Sequence, residues 1–259
     1  MRPITSKNVA VIGAGAAGLV AARELRREGH GVVVFERESQ LGGTWVYTSA
    51  VESDPLGLEP CREVVNSSLY ASLRTNLPRE VMGFLDYPFV DTKKARRDPR
   101  RFPGHREVLE YLRDFAGEFR VTEMVRFATE VRYVGLVGDG KWKVRSIKRG
   151  GDVDEVYDAV VVCNGHYTEP RIAEIPGMDV WPREQIHSHN YRVPDGFKDK
   201  VVVVIGASAS AEDISREIAK VAKEVHIASR SFQTGSSAKL LGYENVWRHP
   251  MVKLLVPFK

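Results

Sequence analysis

Two short glycine-rich turns contain the residues whose types and spacing best suit ligand binding. The first turn follows the apolar run 9–12 and opens a helical stretch; it reads Gly13-Ala14-Gly15-Ala16-Ala17-Gly18. In such a strand–turn–helix the first glycine makes the bend, the second lets the backbone approach a diphosphate, and the third lets helix and strand pack closely. The diphosphate lies on the unpaired N–H groups at the helix start. The pattern therefore predicts a dinucleotide site.

An acidic residue supports this interpretation. The next apolar run, 32–35, ends on Glu36, which is eighteen residues beyond Gly18. An acid at that distance accepts a hydrogen bond from a ribose hydroxyl. A glycine pattern alone is weak, because glycines also serve ordinary turns. Strand, turn, helix, strand and acid in this order form a much more specific indication.

The second turn follows the valine-rich run 201–205 and reads Gly206-Ala207-Ser208-Ala209-Ser210-Ala211. Alanine is permitted at the third glycine position, and Ser208 at the second narrows the space but can itself donate to phosphate. The following strand ends on Arg230, nineteen residues beyond Ala211, where an arginine pairs with a 2′-phosphate. The contrast between Glu36 and Arg230 predicts that the chain holds FAD first and NADPH second. For Arg230 taken alone, an ordinary surface charge is the alternative.

Composition excludes several other classes of protein. No apolar run approaches the ~20 residues of a membrane helix, and no apolar signal segment precedes the first strand. The two cysteines, Cys61 and Cys163, lie far apart, so they form no C-x-x-C redox pair and have no zinc spacing. This cysteine usage fits a reducing compartment. We expect a cytoplasmic protein without a transmembrane segment and without a metal site.

A mild positive charge also has a simple explanation. The formal net charge is +4, and the densest basic run covers residues 93–101. A nucleic-acid site would interleave aromatic residues with the basic ones for stacking, and this run has none. We interpret it as a solvated loop before a helix and predict no nucleic-acid partner. Binding of anionic dinucleotides is sufficient to explain the small excess of basic over acidic residues.

The elements that must position these residues form an α/β pattern. Residues 105–119 carry an apolar stripe at helical spacing, which predicts a core helix. Residues 125–149 alternate around Gly138-Asp139-Gly140, which predicts an inserted antiparallel hairpin. A continuous apolar run predicts a buried parallel strand over 157–163. Residues 251–256 could form one further strand.

The predicted fold is therefore α/β, with two dinucleotide-binding, Rossmann-like units, parallel sheets and an antiparallel hairpin inserted in the first. Prolines and glycines mark a linker over 171–200. We assign 1–170 to an FAD-binding domain and 171–259 to a partial NADPH-binding domain that begins with this linker. The second unit is expected to be incomplete.

With these motifs, the chain resembles the flavin-containing monooxygenases, and most closely their plant S-oxygenating, glucosinolate S-oxygenase-like branch. The resemblance covers nearly all of the chain, which is C-terminally shortened relative to that family. It rests on the turn 13–18 and on Gly42-Gly43-Thr44-Trp45-Val46-Tyr47, Leu73-Arg74-Thr75-Asn76-Leu77-Pro78, Phe102-Pro103-Gly104-His105-Arg106-Glu107 and Cys163-Asn164-Gly165-His166-Tyr167.

Residues 181–191 form the most specific part of the resemblance. They are similar to the family signature F-x-G-x-x-x-H-x-x-x-Y/F. Trp181 stands for the phenylalanine, and His187 and Tyr191 are in place. Arg183 stands where the family has glycine, which would alter the turn.

The resemblance implies a cofactor-driven oxygenation. NADPH reduces FAD, molecular oxygen adds at the flavin C4a position, and the hydroperoxide passes oxygen to a soft sulfur or nitrogen of a small thioether or amine. It also implies that Arg37, Gly43, Thr44 and Trp45 bind FAD. For the glycine pair and Trp45 taken alone, a structural turn beside a core tryptophan is the alternative. Asn76 matches the family asparagine near the reactive face of the flavin and is the predicted catalytic side chain. A structural turn is the alternative for Asn76.

Two other functions are considered. A shortened, catalytically inactive family member would bind only a dinucleotide or a partner. A disulfide oxidoreductase of similar architecture is disfavoured, because the chain lacks a closely spaced cysteine pair.

Overall fold

A computed structural model describes residues 5–90, 97–148, 150–232 and 237–256. Packing divides the chain into a first unit, Met1–Thr48 with Leu73–Thr168, and a second unit, Ser49–Ser72 with Glu169–Lys259. The sequence-based boundary placed all of 1–170 in one domain, whereas segment 49–72 packs with the second unit. The assignment of one cofactor to each unit stays a prediction.

The first unit contains two kinds of sheet. Its strands are β1 (Asn8–Ile12), β2 (Gly31–Phe35), β3 (Val125–Arg126), β4 (Glu130–Leu136), β5 (Trp142–Lys148), β6 (Gly151–Tyr157) and β7 (Ala159–Val162). Its helices are α1 (Ala16–Arg27), α2 (Arg79–Met82) and α3 (His105–Glu118). One sheet is parallel, in the order β3-β2-β1-β7. The other is antiparallel, in the order β4-β5-β6.

The parallel sheet creates the place where a ligand can bind. Strand β1 lies between β2 and β7, so the strand order reverses at its carboxyl end, where open α/β sheets form a crevice. Apolar side chains from the sheet, α1 and α3 form one core beneath that crevice; among them are Val11, Leu19, Val34, Leu112 and Phe115. The helix predicted over 105–119 is confirmed as α3, because its apolar stripe packs into this core.

The predicted hairpin is confirmed and extended by a third strand. Trp142 pairs with Tyr157, so Tyr157 ends the antiparallel β6 instead of starting the parallel strand. The predicted strand over 157–163 is therefore wrong at its start, and β7 is only half-buried. The chain changes sheets at Asp158, whose carboxylate accepts the Asn8 N–H at 2.8 Å. A continuous run of apolar residues does not indicate where the chain leaves one sheet and enters another.

The second unit is smaller and repeats the strand–turn–helix–strand order. Its elements are β8 (Val201–Ile205), α4 (Ala209–Ile218), β9 (Glu224–Ser229), β10 (Ala238–Lys239) and β11 (Val246–Pro250). The sheet has the order β10-β11-β9-β8, with β8, β9 and β11 parallel and β10 antiparallel to β11. The prediction of an α/β fold with parallel sheets in two units is confirmed.

The strand considered over 251–256 is wrong. The chain forms β11 just before it, and fully buried Val246 pairs with Val225 of β9. The backbone N–H of Leu255 instead donates to the Pro176 carbonyl at 2.9 Å. The apolar run therefore packs along the linker and does not extend the sheet.

Candidate functional site

The first glycine turn is fixed to the ends of two strands. The Gly13 N–H donates to the Phe35 carbonyl of β2 at 2.8 Å. Gly13 has φ of 102°, a backbone conformation that favours glycine, and a Cβ there would lie 2.4 Å from the Cys163 carbonyl oxygen. A Cβ on Gly18 would lie 1.8 Å from the Gly13 carbonyl oxygen. Both positions therefore require glycine for close packing.

The start of α1 is open to an anion. Gly15 is the N-cap residue, no side chain caps the helix, and no acidic residue lies in the first turn. The first backbone N–H groups of a helix have no partner within the helix, and they carry partial positive charge. The N–H groups of Ala16, Ala17 and Gly18 therefore offer donors to a phosphate.

The Glu36 carboxylate closes this turn from the other side. It is buried, Oε2 accepts the Ala14 N–H at 2.7 Å, and Oε1 accepts the Glu38 N–H at 2.9 Å. A carboxylate oxygen has two lone pairs. Glu36 therefore orders the turn and keeps acceptor capacity for a hydroxyl.

A second glycine pair packs against the first turn. The Gly42 N–H donates to the Ala14 carbonyl at 3.0 Å, and Gly43 begins the short 3-10 turn Gly43–Trp45. A Cβ on Gly43 would lie 3.1 Å from the Gly15 Cα, so the two backbones run close together. Trp45 is half-buried at the core, and Thr44 is exposed. Arg37 is exposed, with its Nε 3.7 Å from Oε1 of Glu38.

Asn76 lies in a loop that is held rigid by its neighbours. The buried Thr75 donates from Oγ1 to the Leu77 carbonyl at 2.8 Å and from its N–H to the Pro103 carbonyl at 2.9 Å. The His105 N–H at the start of α3 donates to the Leu73 carbonyl at 3.0 Å. The Asn76 side chain itself is exposed and makes no hydrogen bond within the described ranges. Its amide is available to a ligand.

The second glycine turn repeats the bend of the first. The Gly206 N–H donates to the Ala228 carbonyl at 2.8 Å, and Gly206 has φ of 116°. Ser208 is the N-cap residue of α4 in the same extended conformation as Gly15, and its hydroxyl makes no capping bond. Ser208 and Ser210 therefore present hydroxyls, and Ala209 and Ala211 present N–H groups, at an uncapped helix start.

Arg230 follows β9 directly and is exposed. In the part of the chain that the structure describes, it forms no ion pair. The hydroxyls of Ser229 and Ser231 lie 2.8 Å apart, and the Ser231 N–H donates to the Ser229 Oγ at 3.2 Å. This turn therefore combines the Arg230 guanidinium with two hydroxyl groups, and both kinds of group can donate hydrogen bonds to phosphate.

The residues of the 181–191 segment lie in the second unit, apart from both glycine turns in sequence. Trp181 is half-buried, and Arg183 is exposed with a φ outside the left-handed region, so its backbone does not require glycine. His187 accepts the His189 N–H on Nδ1 at 3.1 Å. Burial, followed by the neighbouring His189, lowers the pKa of His187.

Two tyrosines bind the carboxylates of α4, and only one of them was a predicted site residue. The buried Tyr191 hydroxyl donates to Oε2 of Glu217 at 2.7 Å. The Tyr70 hydroxyl donates to Asp213, and the two tyrosine rings lie 5.5 Å apart. Burial and then these hydrogen bonds raise the pKa of both tyrosines. In the sequence, the pattern that could have indicated these contacts is the spacing of four between Asp213 and Glu217, which places both acids on one side of a helix.

A buried charge network joins segment 49–72 to the signature segment, and the sequence contained no signal for it. Glu52 is fully buried; its Oε2 lies 2.8 Å from Nε of Arg62, and its Oε1 lies 3.3 Å from Nε2 of His189. His189 also contacts the Ser68 hydroxyl through Nδ1 at 2.6 Å. Such a buried pair is held by mutual neutralisation and hydrogen bonding, so we assign it a structural role.

Two sequence-based exclusions can be compared with the described residues. Within those ranges no group of His, Cys, Asp or Glu is arranged to hold a metal ion, and no helix is long and apolar enough to cross a membrane. Of the basic run, residues 93–96 lie outside the described ranges. Arg97 contacts Glu107 and Asp114, each at 2.9 Å, so this part of the run is ion-paired and not simply solvated.

Comparisons with known proteins agree on one family. The family model described as FMO-like, flavin-binding monooxygenase-like, matches residues 6–240. Flavin-containing monooxygenase FMO GS-OX-like 2 of Arabidopsis thaliana is 65% identical over 258 residues, which cover 97% of this chain and 56% of the relative. The chain spans about half the length of the curated relatives that it matches.

Solved structures give the same result. S-allyl-L-cysteine S-oxygenase from Allium sativum is 60% identical with a TM-score of 0.94, over 96% of this chain and 57% of that one. Tmm from a Pelagibacter species is 29% identical with a TM-score of 0.77, over 95% of this chain and 56% of that one.

Proposed function

Because the chain belongs to the flavin-binding monooxygenase-like family, we propose that it is an FAD- and NADPH-dependent monooxygenase that oxygenates a soft sulfur or nitrogen centre of a small molecule. The observation that supports this most is the pair of glycine turns with the same backbone bend and opposite charges at their ends. Glu36 lies at the end of the first and Arg230 at the end of the second.

The residues of the first turn fit FAD. The uncapped start of α1 offers N–H groups to the diphosphate, and Glu36 keeps lone pairs for the ribose hydroxyls. The backbones of Gly15 and Gly43 leave no side chain in the way of the cofactor. When bound and reduced, FAD supplies the activation of molecular oxygen, while the protein supplies binding, orientation and exclusion of water.

The residues of the second turn fit NADPH. The start of α4, with the hydroxyls of Ser208 and Ser210, would hold the diphosphate. Arg230, which forms no ion pair within the described ranges, would bind the 2′-phosphate. An NADH-specific turn would have an acid at this place, as the first turn has Glu36.

Asn76 is the side chain that we propose to act at the reacting atoms. Its amide has both donors and an acceptor available, and the loop around it is held by buried Thr75. A rigid loop that presents one unpartnered amide suits the orientation of a bound group better than a structural turn does. In an Asx turn, the Asn side chain bonds the nearby backbone, and among the described residues Asn76 makes no such bond.

Sulfur is the favoured reacting atom. The garlic relative, with 60% identity, is named as an S-oxygenase of S-allyl-L-cysteine, and a thioether is a soft nucleophile of the required kind. We propose a small thioether as the substrate and an amine as the second candidate.

The test uses the purified 259-residue chain with FAD. We expect a yellow protein, and we expect NADPH oxidation that is stimulated by S-allyl-L-cysteine and yields a product heavier by one oxygen atom. Asn76→Ala should retain flavin and lose product. Flavin binding without any thioether-dependent NADPH oxidation would favour the alternative, a shortened member that only binds dinucleotide. Colourless protein that takes up neither cofactor would overturn the proposal.

A further inference from the structure

We propose that Arg248 acts with Arg230 to recognise the 2′-phosphate of NADPH. The inference rests on the proposed function, and it deepens it by naming a second residue that distinguishes the phosphorylated from the unphosphorylated dinucleotide.

Strand pairing places Arg248 beside the end of β9. Strand β11 runs parallel to β9, with Arg248 opposite Ile227 and Pro250 opposite Ser229. Opposite residues of paired strands lie on the same face of a sheet, and so do residues two apart on one strand. Arg248 therefore shares a face with Ser229, the last residue of β9, and Arg230 follows directly.

An aromatic contact holds the Arg248 guanidinium at the same turn. Its Cζ lies 5.5 Å from the centre of the Phe232 ring. The Phe232 N–H donates to the Ser229 carbonyl at 3.3 Å, which closes the turn that contains Arg230. Stacking on an aromatic face leaves the N–H edge of a guanidinium free to donate. The charged edge of Arg248 is therefore presented at the turn.

The charge of Arg248 has no carboxylate partner in the part of the chain that the structure describes. Arg248 is half-buried, yet it forms no ion pair with any residue in the described ranges. Three other cations around this sheet do have carboxylate partners: Lys239 pairs with Glu244 at 2.5 Å, Lys200 with Glu184 at 2.7 Å and Arg216 with Glu212 at 3.6 Å. A half-buried guanidinium without a carboxylate partner in the described residues, held by Phe232 at the turn that contains Arg230, points to an anionic ligand.

The chemistry of the ligand follows from this arrangement. Two guanidinium groups with the hydroxyls of Ser229 and Ser231 suit a terminal phosphate, which carries close to two negative charges and three acceptor oxygens. In NADP⁺ such a group lies on the 2′ position of the ribose that binds at the end of this strand. NAD⁺ has an uncharged hydroxyl there. Arg248 should therefore strengthen binding of NADP⁺ alone.

The experiment measures direct binding of NADP⁺ and NAD⁺ to the whole chain by calorimetry. We expect Arg248→Gln to weaken NADP⁺ binding about tenfold and to leave NAD⁺ binding within about twofold. Phe232→Leu should weaken NADP⁺ binding less, because it removes only the stack that orients the guanidinium. Lys239→Gln is the matched control: it removes a cation from the adjacent strand that is already paired, and both affinities should stay unchanged.

The outcomes separate the two proposals. If wild-type protein does not prefer NADP⁺ over NAD⁺, the proposed NADPH site fails and this inference fails with it. If wild-type protein and Arg248→Gln prefer NADP⁺ equally, only this inference is overturned. Should Arg248→Gln lose its circular dichroism signal, Arg248→Lys replaces it. That variant keeps the charge without the planar stack, and an unchanged NADP⁺ preference in both Arg248→Lys and Phe232→Leu would overturn the role of the stacked guanidinium.

Discussion

The hydrogen bond between Tyr191 and Glu217 should control the stability of helix α4. Tyr191→Phe removes only the hydroxyl and keeps the buried ring, so it creates no cavity. It leaves the half-buried Glu217 carboxylate without the donor that lies 2.7 Å away. A hydrogen bond to a charged group contributes about 1.5–3 kcal/mol. Because water can reach Glu217, we expect a loss of about 1–2 kcal/mol.

Hydrogen exchange measures this loss locally, which matters because a chain of two units need not unfold in one step. A loss of about 1–2 kcal/mol corresponds to amide exchange about 5–30 times faster. We expect this acceleration in α4 (Ala209–Ile218), and unchanged exchange in α1 of the other unit. Mass spectrometry of peptides from the exchanging protein gives both rates.

A double-mutant cycle decides whether the bond is the cause. In a Tyr191→Phe background, Glu217→Gln should cost less than it does in the wild type, because the bond is already lost. Tyr133→Phe is a matched control, since Tyr133 is 52% exposed on the antiparallel sheet. If the two changes are additive, or if Tyr191→Phe leaves α4 exchange unchanged, the reasoning is refuted.

Three further substitutions test the first glycine turn and the dependence of stability on pH. Gly18→Ala should destabilise the protein by about 1–3 kcal/mol and abolish flavin uptake, because its Cβ would meet a backbone carbonyl at 1.8 Å; Gly117→Ala in α3, where nothing lies within 4 Å, should instead be neutral or stabilising in the same thermal melts. Burial lowers the pKa of His187 from 6.5, so the unfolded chain binds this proton more readily and stability falls as the pH drops below about 6.5. In His187→Asn, the free energy of unfolding measured with urea should change less between about pH 7 and pH 5. The hydrogen bond from Arg100 lowers the pKa of Asp98 below 3.8, so the Asp98 carboxylate stabilises the folded protein above that pH and this stabilisation is lost in acid. Asp98→Asn should therefore be less stable at neutral pH, and its stability should fall less steeply as the pH drops. An unchanged fall of stability in acid would contradict this.

The strand–turn–helix–strand parts of the fold could be predicted because their causes are local. Gly13 and Gly206 require a positive φ, and the apolar periods on either side differ between strand and helix. Glu36 was identified from its distance along the chain, and the structure places its carboxylate against the first turn. Each of these features depends on residues within one supersecondary unit.

Other features could not be predicted because their partners are remote in sequence. Tyr70 and Asp213 are 143 residues apart, and segment 49–72 has no period that indicates where it packs. The change of sheet at Asp158 depends on a bond to Asn8, 150 residues away. The position of Arg248 near the end of β9 depends on the pairing of β11 with β9, which brings residues about twenty apart in sequence together. Such tertiary pairings leave no local pattern.

The two glycine turns differ in how much variation they tolerate. A methyl group at Gly13 or Gly18 would strike a backbone carbonyl, whereas Ser208 and Ala211 already carry side chains at the second and third glycine positions of the other bend. Laboratory evolution of this protein should therefore recover folded clones from libraries at 208 and 211 and few from libraries at 13 and 18. The start of α4 can therefore diverge in sequence while the turn 13–18 stays constant.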